Sequence, residues 1–317
     1  MEKISFIITA YNIQPSMLKA CIESVLALNL DNELREILLI DDGSHSSPLP
    51  HLGSLADEIV YIRQQNQGIS EARNTGLRAA TGQYIQFIDG DDHLMPAAYK
   101  HCLDIVGKHS PDAIAFELTT NDNDSPSDIT ATGPTEGCQY LLKNNVHGSI
   151  CTYLFKKSAA ANLTFTRGIT YGEDEEFTPQ LILRADTLYT TDAKAYFYRQ
   201  HPSSATHQKD EENIRKRLDD NLTVILHLNK ISDTLPTAER EALKRRVAQL
   251  TMDFIYNAIT MTRNPEKVEQ YIDQLYAEGL FPLPQRDYTK KYKYFRMMTQ
   301  TKTGRKILCH TLPRLKG

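Results

Sequence analysis

Three carboxylates fall within four residues at Asp89, Asp91 and Asp92, directly after the apolar run Tyr84–Ile88. Unneutralised charges about 4 Å apart repel by roughly 4 kcal/mol at an effective dielectric near 20. A divalent cation relieves that repulsion, and all-oxygen ligation selects Mg²⁺ or Mn²⁺. An EF-hand does not fit: with Asp89 as its first position, Leu94 falls where glycine is needed and Lys100 where the bidentate Glu belongs. Mg²⁺ is commonly held by one or two carboxylates together with substrate phosphates, so a diphosphate ligand follows. Two more polar clusters end apolar runs in the same way, Thr9-Ala10-Tyr11-Asn12 and Asp41-Asp42-Gly43-Ser44. Each alone is an ordinary turn; together they are a constellation.

The elements that must position these groups are legible in the alternation of short apolar runs with helical patterns, which predicts a largely parallel sheet covered by helices. Strands are expected at Ile4–Thr9, Glu36–Ile40, Ile59–Ile62, Tyr84–Ile88, Asp112–Glu117, Ile150–Phe155, Thr187–Thr191 and Ala195–Tyr198. Helices are expected from Pro15, over Ile69–Ala80, over Ala97–Val106 behind Pro96, and from Asp174 to about Arg184. Residues 119–137 are polar and read as a long loop or weak hairpin. In open parallel sheets ligands bind beyond the carboxyl ends of the strands, which is where all three polar clusters lie.

After His201 the pattern changes. Ser203–Lys209 reads as a linker, followed by three helices with apolar faces such as Ile214, Leu218, Leu222 and Ile225. The expected division is an α/β nucleotide-binding domain over 1–205 and a helical region over 206–317 that ends in a basic tail.

Composition narrows the function classes. The chain has 317 residues and a net charge of −4, but residues 285–317 carry ten Lys and Arg against one Asp. An anionic partner and a merely solvated basic helix both account for such a tail. Its aromatic residues suit peripheral contact with an anionic leaflet. Folding against the acidic body is the competing account. No apolar run approaches a membrane span, and the apolar stretch near Met1 is too short for a signal peptide. Five scattered cysteines without metal spacing suit a cytosolic protein. No Gly-x-Gly-x-x-Gly follows the first strand and no Gly-Lys-Ser/Thr marks a P-loop. The basic tail lacks the pattern of an RNA-binding sheet, which argues against nucleic acid.

The segments Ile7–Asn12, Leu39–Ser44, Asn66–Leu77 and Tyr84–Asp92, in this order and spacing, resemble the family 2 glycosyltransferases of GT-A fold, with a weaker match at Tyr171–Phe177. The resemblance covers about the first 95 residues and fades beyond about residue 205. It implies Thr9 and Tyr11 lining a nucleotide base and Asp42 accepting from uracil N3–H. Arg73 would lie near the base, with Asn74 ordering that loop. Asp89 would approach the ribose, Asp91 would ligate Mn²⁺ or Mg²⁺, and Asp174 would be the general base. The implied activity is inverting transfer from a UDP-sugar to a saccharide or lipid-linked saccharide acceptor, as in bacterial surface polysaccharide synthesis. Ala10 stands where the family usually has proline. Cys151 and Tyr153 stand near a common Trp and Lys, which leaves the acceptor open.

Simpler readings stand beside these. Arg73 also suits an ion pair with Glu71 or Asp89, and Glu173-Asp174-Glu175-Glu176 suits the dipole of a helix start. Arg199 and His201 fit either a diphosphate contact or a surface pair. A UDP-sugar-binding regulator would share the rim motifs without needing Asp174. A nucleotidyltransferase would need a Gly/Arg/Lys-rich triphosphate loop, which Thr9–Pro15 does not supply.

Overall fold

The structure is a computed structural model and describes residues 2–124, 128–146, 148–200, 210–286 and 289–314. The chain divides into two compact units, 1–204 and 205–317. The expected linker Ser203–Lys209, and His201 with it, lie outside the described residues.

The first unit runs β1 (Ile4–Ala10), α1 (Pro15–Leu26), β2 (Arg35–Asp41), α2 (Leu49–Leu52), β3 (Val60–Arg63), α3 (Ile69–Ala79), β4 (Tyr84–Asp89), β5 (His93–Leu94) and α4 (Pro96–His109). It continues with β6 (Ala113–Thr119), β7 (Ala131–Thr135), α5 (Gly137–Lys143), β8 (Tyr153–Lys156), α6 (Glu173–Leu183) and β9 (Leu188–Phe197). The strand order is β3-β2-β1-β4-β8-β6-β9-β5, with β7 on β9. The strands β3, β2, β1 and β4 are all parallel, and β6 is parallel to β9. β8 runs antiparallel between β4 and β6. β8 follows α5 through a short 3₁₀ turn, Ile150–Thr152.

All seven residues of β1 are buried, as expected for a strand covered on both faces. Its inward Ser5 is not an error in the pattern: its hydroxyl accepts from the Gly82 N–H at 2.8 Å. The run expected as two strands around residue 192 is one continuous strand, because Ala193 and Ala195 keep the buried alternation going past Asp192. Within 119–137, β7 pairs with the edge of β9.

The second unit contains α7 (Glu211–Asp233), α8 (Thr237–Thr262), α9 (Pro265–Ala277), α10 (Lys290–Thr299) and α11 (Lys302–Thr311). The expected three helices are therefore joined by two built from the basic tail. Thr289 and Thr301 cap them, accepting from Tyr292 N–H and Gly304 N–H, signals obscured by the charge pattern. Of the tail read as a peripheral segment, Tyr292 and Leu308 are buried. Arg305 is also buried and ion-paired to Glu269. What faces outward is Lys293, Tyr294, Met297, Lys302, Lys306 and Ile307. No helix among the described residues is long and apolar enough to cross a membrane.

Candidate active site

The sheet brings the three polar clusters to one rim. β1 lies between β2 and β4, and the register sets Ala10 beside Asp41 and Thr9 beside Asp89. Gly43 turns the chain after β2 at φ 76°, and a Cβ there would stand 2.7 Å from the Asn66 nitrogen. Asn12 ties the first two clusters together: its N–H donates to Ser44 Oγ at 2.9 Å and its Oδ1 accepts from His45 N–H at 2.8 Å. Asp41 holds the turn, accepting from Ser44 N–H and the Tyr61 hydroxyl. Burial opposes its ionisation, but these donors and Arg63 prevail and hold its carboxyl below the usual range.

Thr9 is buried and donates to Asp89 Oδ1 at 3.3 Å, while the Tyr11 ring is 46% exposed on the same rim. Asp42 is buried, and its carboxylate organises the loop before α3. It accepts from Gln64 Nε2 at 2.7 Å, Gln67 N–H at 3.0 Å and Gly68 N–H at 2.8 Å. Asn74 clamps α3 to the segment before α6 through paired 2.8 Å bonds with the backbone of Phe165.

Arg73 is 2% exposed, and its guanidinium meets a cluster of carboxylates, sharing Asp89 Oδ1 with the Thr9 hydroxyl. Nη2 reaches Asp89 Oδ1 at 3.1 Å; Nη1 reaches Glu173 Oε1 at 2.8 Å and also Asp174 Oδ1. The rings of Phe87 and Phe165 flank it at 5.9 and 5.5 Å. One buried cation thus bridges three anions, Asp89, Glu173 and Asp174. Of the two ion pairs expected, that with Asp89 is present; Glu71 is instead held by Arg78 and Arg167. Burial works against the Arg73 charge, but Asp174, Asp89 and Glu173 overcome it and hold the guanidinium protonated.

Asp174 opens α6 and accepts from Ile150 N–H at 3.2 Å besides Arg73. Burial pushes its carboxyl up; Arg73 opposes this, while Glu173 and Asp89 add to it. Glu173 is raised too, by burial first and then by Asp89, against Arg73. The Asp174 side chain keeps 19% of its surface open, and a carboxyl raised in this way binds a proton more readily than a free one. Glu173 was not singled out from the sequence; the sole signal was its position beside Asp174.

In the turn after β4, Gly90 allows the backbone to lie against β1, and a Cβ there would be 2.9 Å from the Thr9 carbonyl. Asp92 turns inward, accepting from the Tyr196 hydroxyl and the Arg199 N–H, each at 2.8 Å. Burial, with Asp89 and Asp91 adding, pushes Asp92 up to about 8. Arg199 Nε also donates to the Asp91 carbonyl at 2.8 Å, which places it against this turn. Asp89 and Asp91 remain on the rim as half-buried carboxylates. Among the described residues no group of three or more ligating side chains forms a cage. The donor set, one or two carboxylates on an open rim, fits Mg²⁺ or Mn²⁺ that takes its remaining ligands from phosphates.

The sequence matches the profile of glycosyl transferase family 2 over residues 5–163, which spans all three rim clusters and α3. The chain belongs to this family. It is 28% identical over 302 residues to the uncharacterized glycosyltransferase EpsJ of Bacillus subtilis, covering 86% of this chain and 83% of that one. The fold is the GT-A fold. The 1–349 fragment of S. aureus TarS superposes with a TM-score of 0.65 at 16% identity, over 99% of this chain and 91% of that fragment. Crystals of TarS hold UDP-GlcNAc. The mannosyltransferase PcManGT of Pyrobaculum calidifontis, in complex with GDP-Man and Mn²⁺, superposes with a TM-score of 0.58 at 12% identity, over 99% and 88%.

Proposed function

We propose that this glycosyltransferase transfers a sugar from a UDP-sugar to an acceptor hydroxyl with inversion, with Mn²⁺ or Mg²⁺ present. The observation that carries the reading is the Arg73 bridge, which fastens Asp89 of the donor rim to Asp174 at the start of α6. Donor and acceptor chemistry need those two carboxylates at a fixed separation, and one buried cation fixes it.

Asp174 acts as general base, taking the acceptor proton through its Oδ2 side while Arg73 and the Ile150 N–H keep the carboxylate oriented. Thr9 and Tyr11 line the nucleotide base, and Asp42 accepts from uracil N3–H with the lone-pair capacity left after its three protein donors. Asp89 meets the ribose. Asp91, with Asp89 beside it, would hold the cation, whose charge would offset that developing on the leaving diphosphate. Arg199 fixes the Asp91 backbone. TarS, which holds UDP-GlcNAc, supports a uridine donor.

We further assign the chain to surface polysaccharide synthesis on a lipid-linked acceptor, at the inner face of the cell membrane. The outward face of α10 and α11 supports this, with Lys293, Lys302 and Lys306 among exposed Tyr294, Met297 and Ile307. The test of the donor class is calorimetric titration of UDP-GlcNAc, UDP-glucose, UDP-galactose and GDP-mannose with Mn²⁺, together with UDP release. Binding of at least one UDP-sugar with metal-dependent UDP release is expected. Binding of GDP-mannose alone would overturn the uridine assignment.

A further inference from the structure

On the sheet beyond the β8 turn lies a cleft of about 340 Å³, walled by β6, β7, β9, α5 and the Ile150–Thr152 turn. Its volume is at the low end of small-molecule sites, about 300–1,000 Å³. Its wall begins where the base is held: Ile150 donates to Asp174, and Thr152 lines the cleft two residues later, a rise of about 4 Å along a 3₁₀ turn. The lining is rich in hydroxyl groups. Among the described residues, the side chains of Thr132, Thr190, Tyr140 and Glu117 make no hydrogen bond within the protein. Thr132 and Thr190 stand opposite each other in the β7–β9 pair, so their hydroxyls converge. Asp192 is taken up by Thr130, whose N–H and hydroxyl reach it at 2.7 and 2.8 Å.

We propose that this cleft is a second saccharide subsite, holding an uncharged sugar residue of the acceptor next to the one being glycosylated. The inference rests on the transfer reading above, in which Asp174 marks the acceptor side. Hydroxyl groups with no protein partner, on both sides of a cleft this size, match a ligand that is itself a ring of hydroxyls. The charge excludes the alternatives: the lining has Glu117 and Asp192 but no Lys or Arg. A phosphate or uronate would meet the like charge of Glu117 and Asp192 there, the neighbouring Lys194 being engaged by Asp124, whereas a neutral sugar gives Glu117 a hydroxyl to accept from.

Saturation-transfer NMR on the full chain tests it, with cellobiose, lactose, maltose and N,N′-diacetylchitobiose as neutral probes and ribitol 5-phosphate and glucuronate as anionic ones. At least one neutral disaccharide is expected to bind, and to stay bound when UDP is saturating. Thr190→Val combined with Tyr140→Phe should weaken it at least tenfold while UDP affinity is unchanged. Glu117→Lys, an exposed position, should admit the anionic probes. The subsite is overturned if no neutral probe binds, if the double variant binds as the parent does, or if the anions bind the parent equally well. The UDP titration reports separately on the transfer reading: a chain that binds a UDP-sugar but no neutral probe fails this inference alone.

Discussion

Replacing Arg73 by Met keeps an apolar stem between Phe87 and Phe165 but removes the charge that Asp89, Glu173 and Asp174 share. Breaking a buried pair by removing one partner costs about 3–5 kcal/mol when the remaining charge has no escape. Here the escape is protonation, so the cost must depend on pH. In the parent, Glu173 and Asp174 both sit above their unfolded values. Their contribution to stability is therefore complete below the ordinary carboxylate range and is lost as pH rises through their folded values. Without Arg73 both folded values rise further, so the loss continues to higher pH, by up to about 1.4 kcal/mol per pH unit for each proton. The Asp89 pair adds little, since that carboxylate is 36% exposed and screened. Hydrogen exchange of the β4 amides, corrected for intrinsic rates, reports the first unit by itself. At pH 8.5 exchange in the variant should be roughly 100- to 3,000-fold faster than in the parent, and at pH 5.5 much closer to it. A deficit independent of pH would show that Arg73 acts through packing, and would refute the charge-bridge reasoning.

Asp91→Asn should abolish the divalent dependence of UDP-sugar binding while leaving thermal stability in place; unchanged Mn²⁺ dependence in calorimetry would remove Asp91 as the ligand. Asp42→Ala should weaken UDP and UDP-sugar alike, and it also frees the Gln64, Gln67 and Gly68 donors, so amide exchange over 64–68 should rise with it. Equal UDP affinity in parent and variant would rule out the base contact. Replacing Lys293, Lys302 and Lys306 together by Glu should release the chain from anionic vesicles at low salt, on a scale of about 1 kcal/mol for each charge. Equal co-sedimentation would sink the membrane role.

The parallel half of the sheet was readable because its strands are unbroken apolar runs that end in polar clusters, as in Phe6–Ile8 running into Thr9. What escaped the sequence depends on long-range partners. Asp92 counts with Asp89 and Asp91 as one of three neighbouring carboxylates, and spacing does not say that Tyr196 and Arg199, more than 100 residues later, turn it inward. The sequence offers Arg73 a base contact or a pair with Glu71 or Asp89, and nothing local reveals that Glu173 and Asp174 arrive beside it. The tail leaves a peripheral segment and a folded one both open in the sequence, because its charges mask Tyr292, Leu308 and Arg305, which are buried. Position along a strand end is local information; which carboxylate meets which cation is tertiary.

The central claim is that Asp174 is the general base of a transferase and not merely an acid at a helix start. It is tested most directly with Asp174→Asn in the full chain, measuring UDP-sugar affinity and UDP release side by side. The amide retains an oxygen to accept from Arg73 or the Ile150 N–H, so the site should stay assembled. Donor affinity should be unchanged while turnover falls by roughly 10²–10⁴-fold, the scale of a lost general base. Turnover near the parent rate with donor affinity intact would contradict the claim.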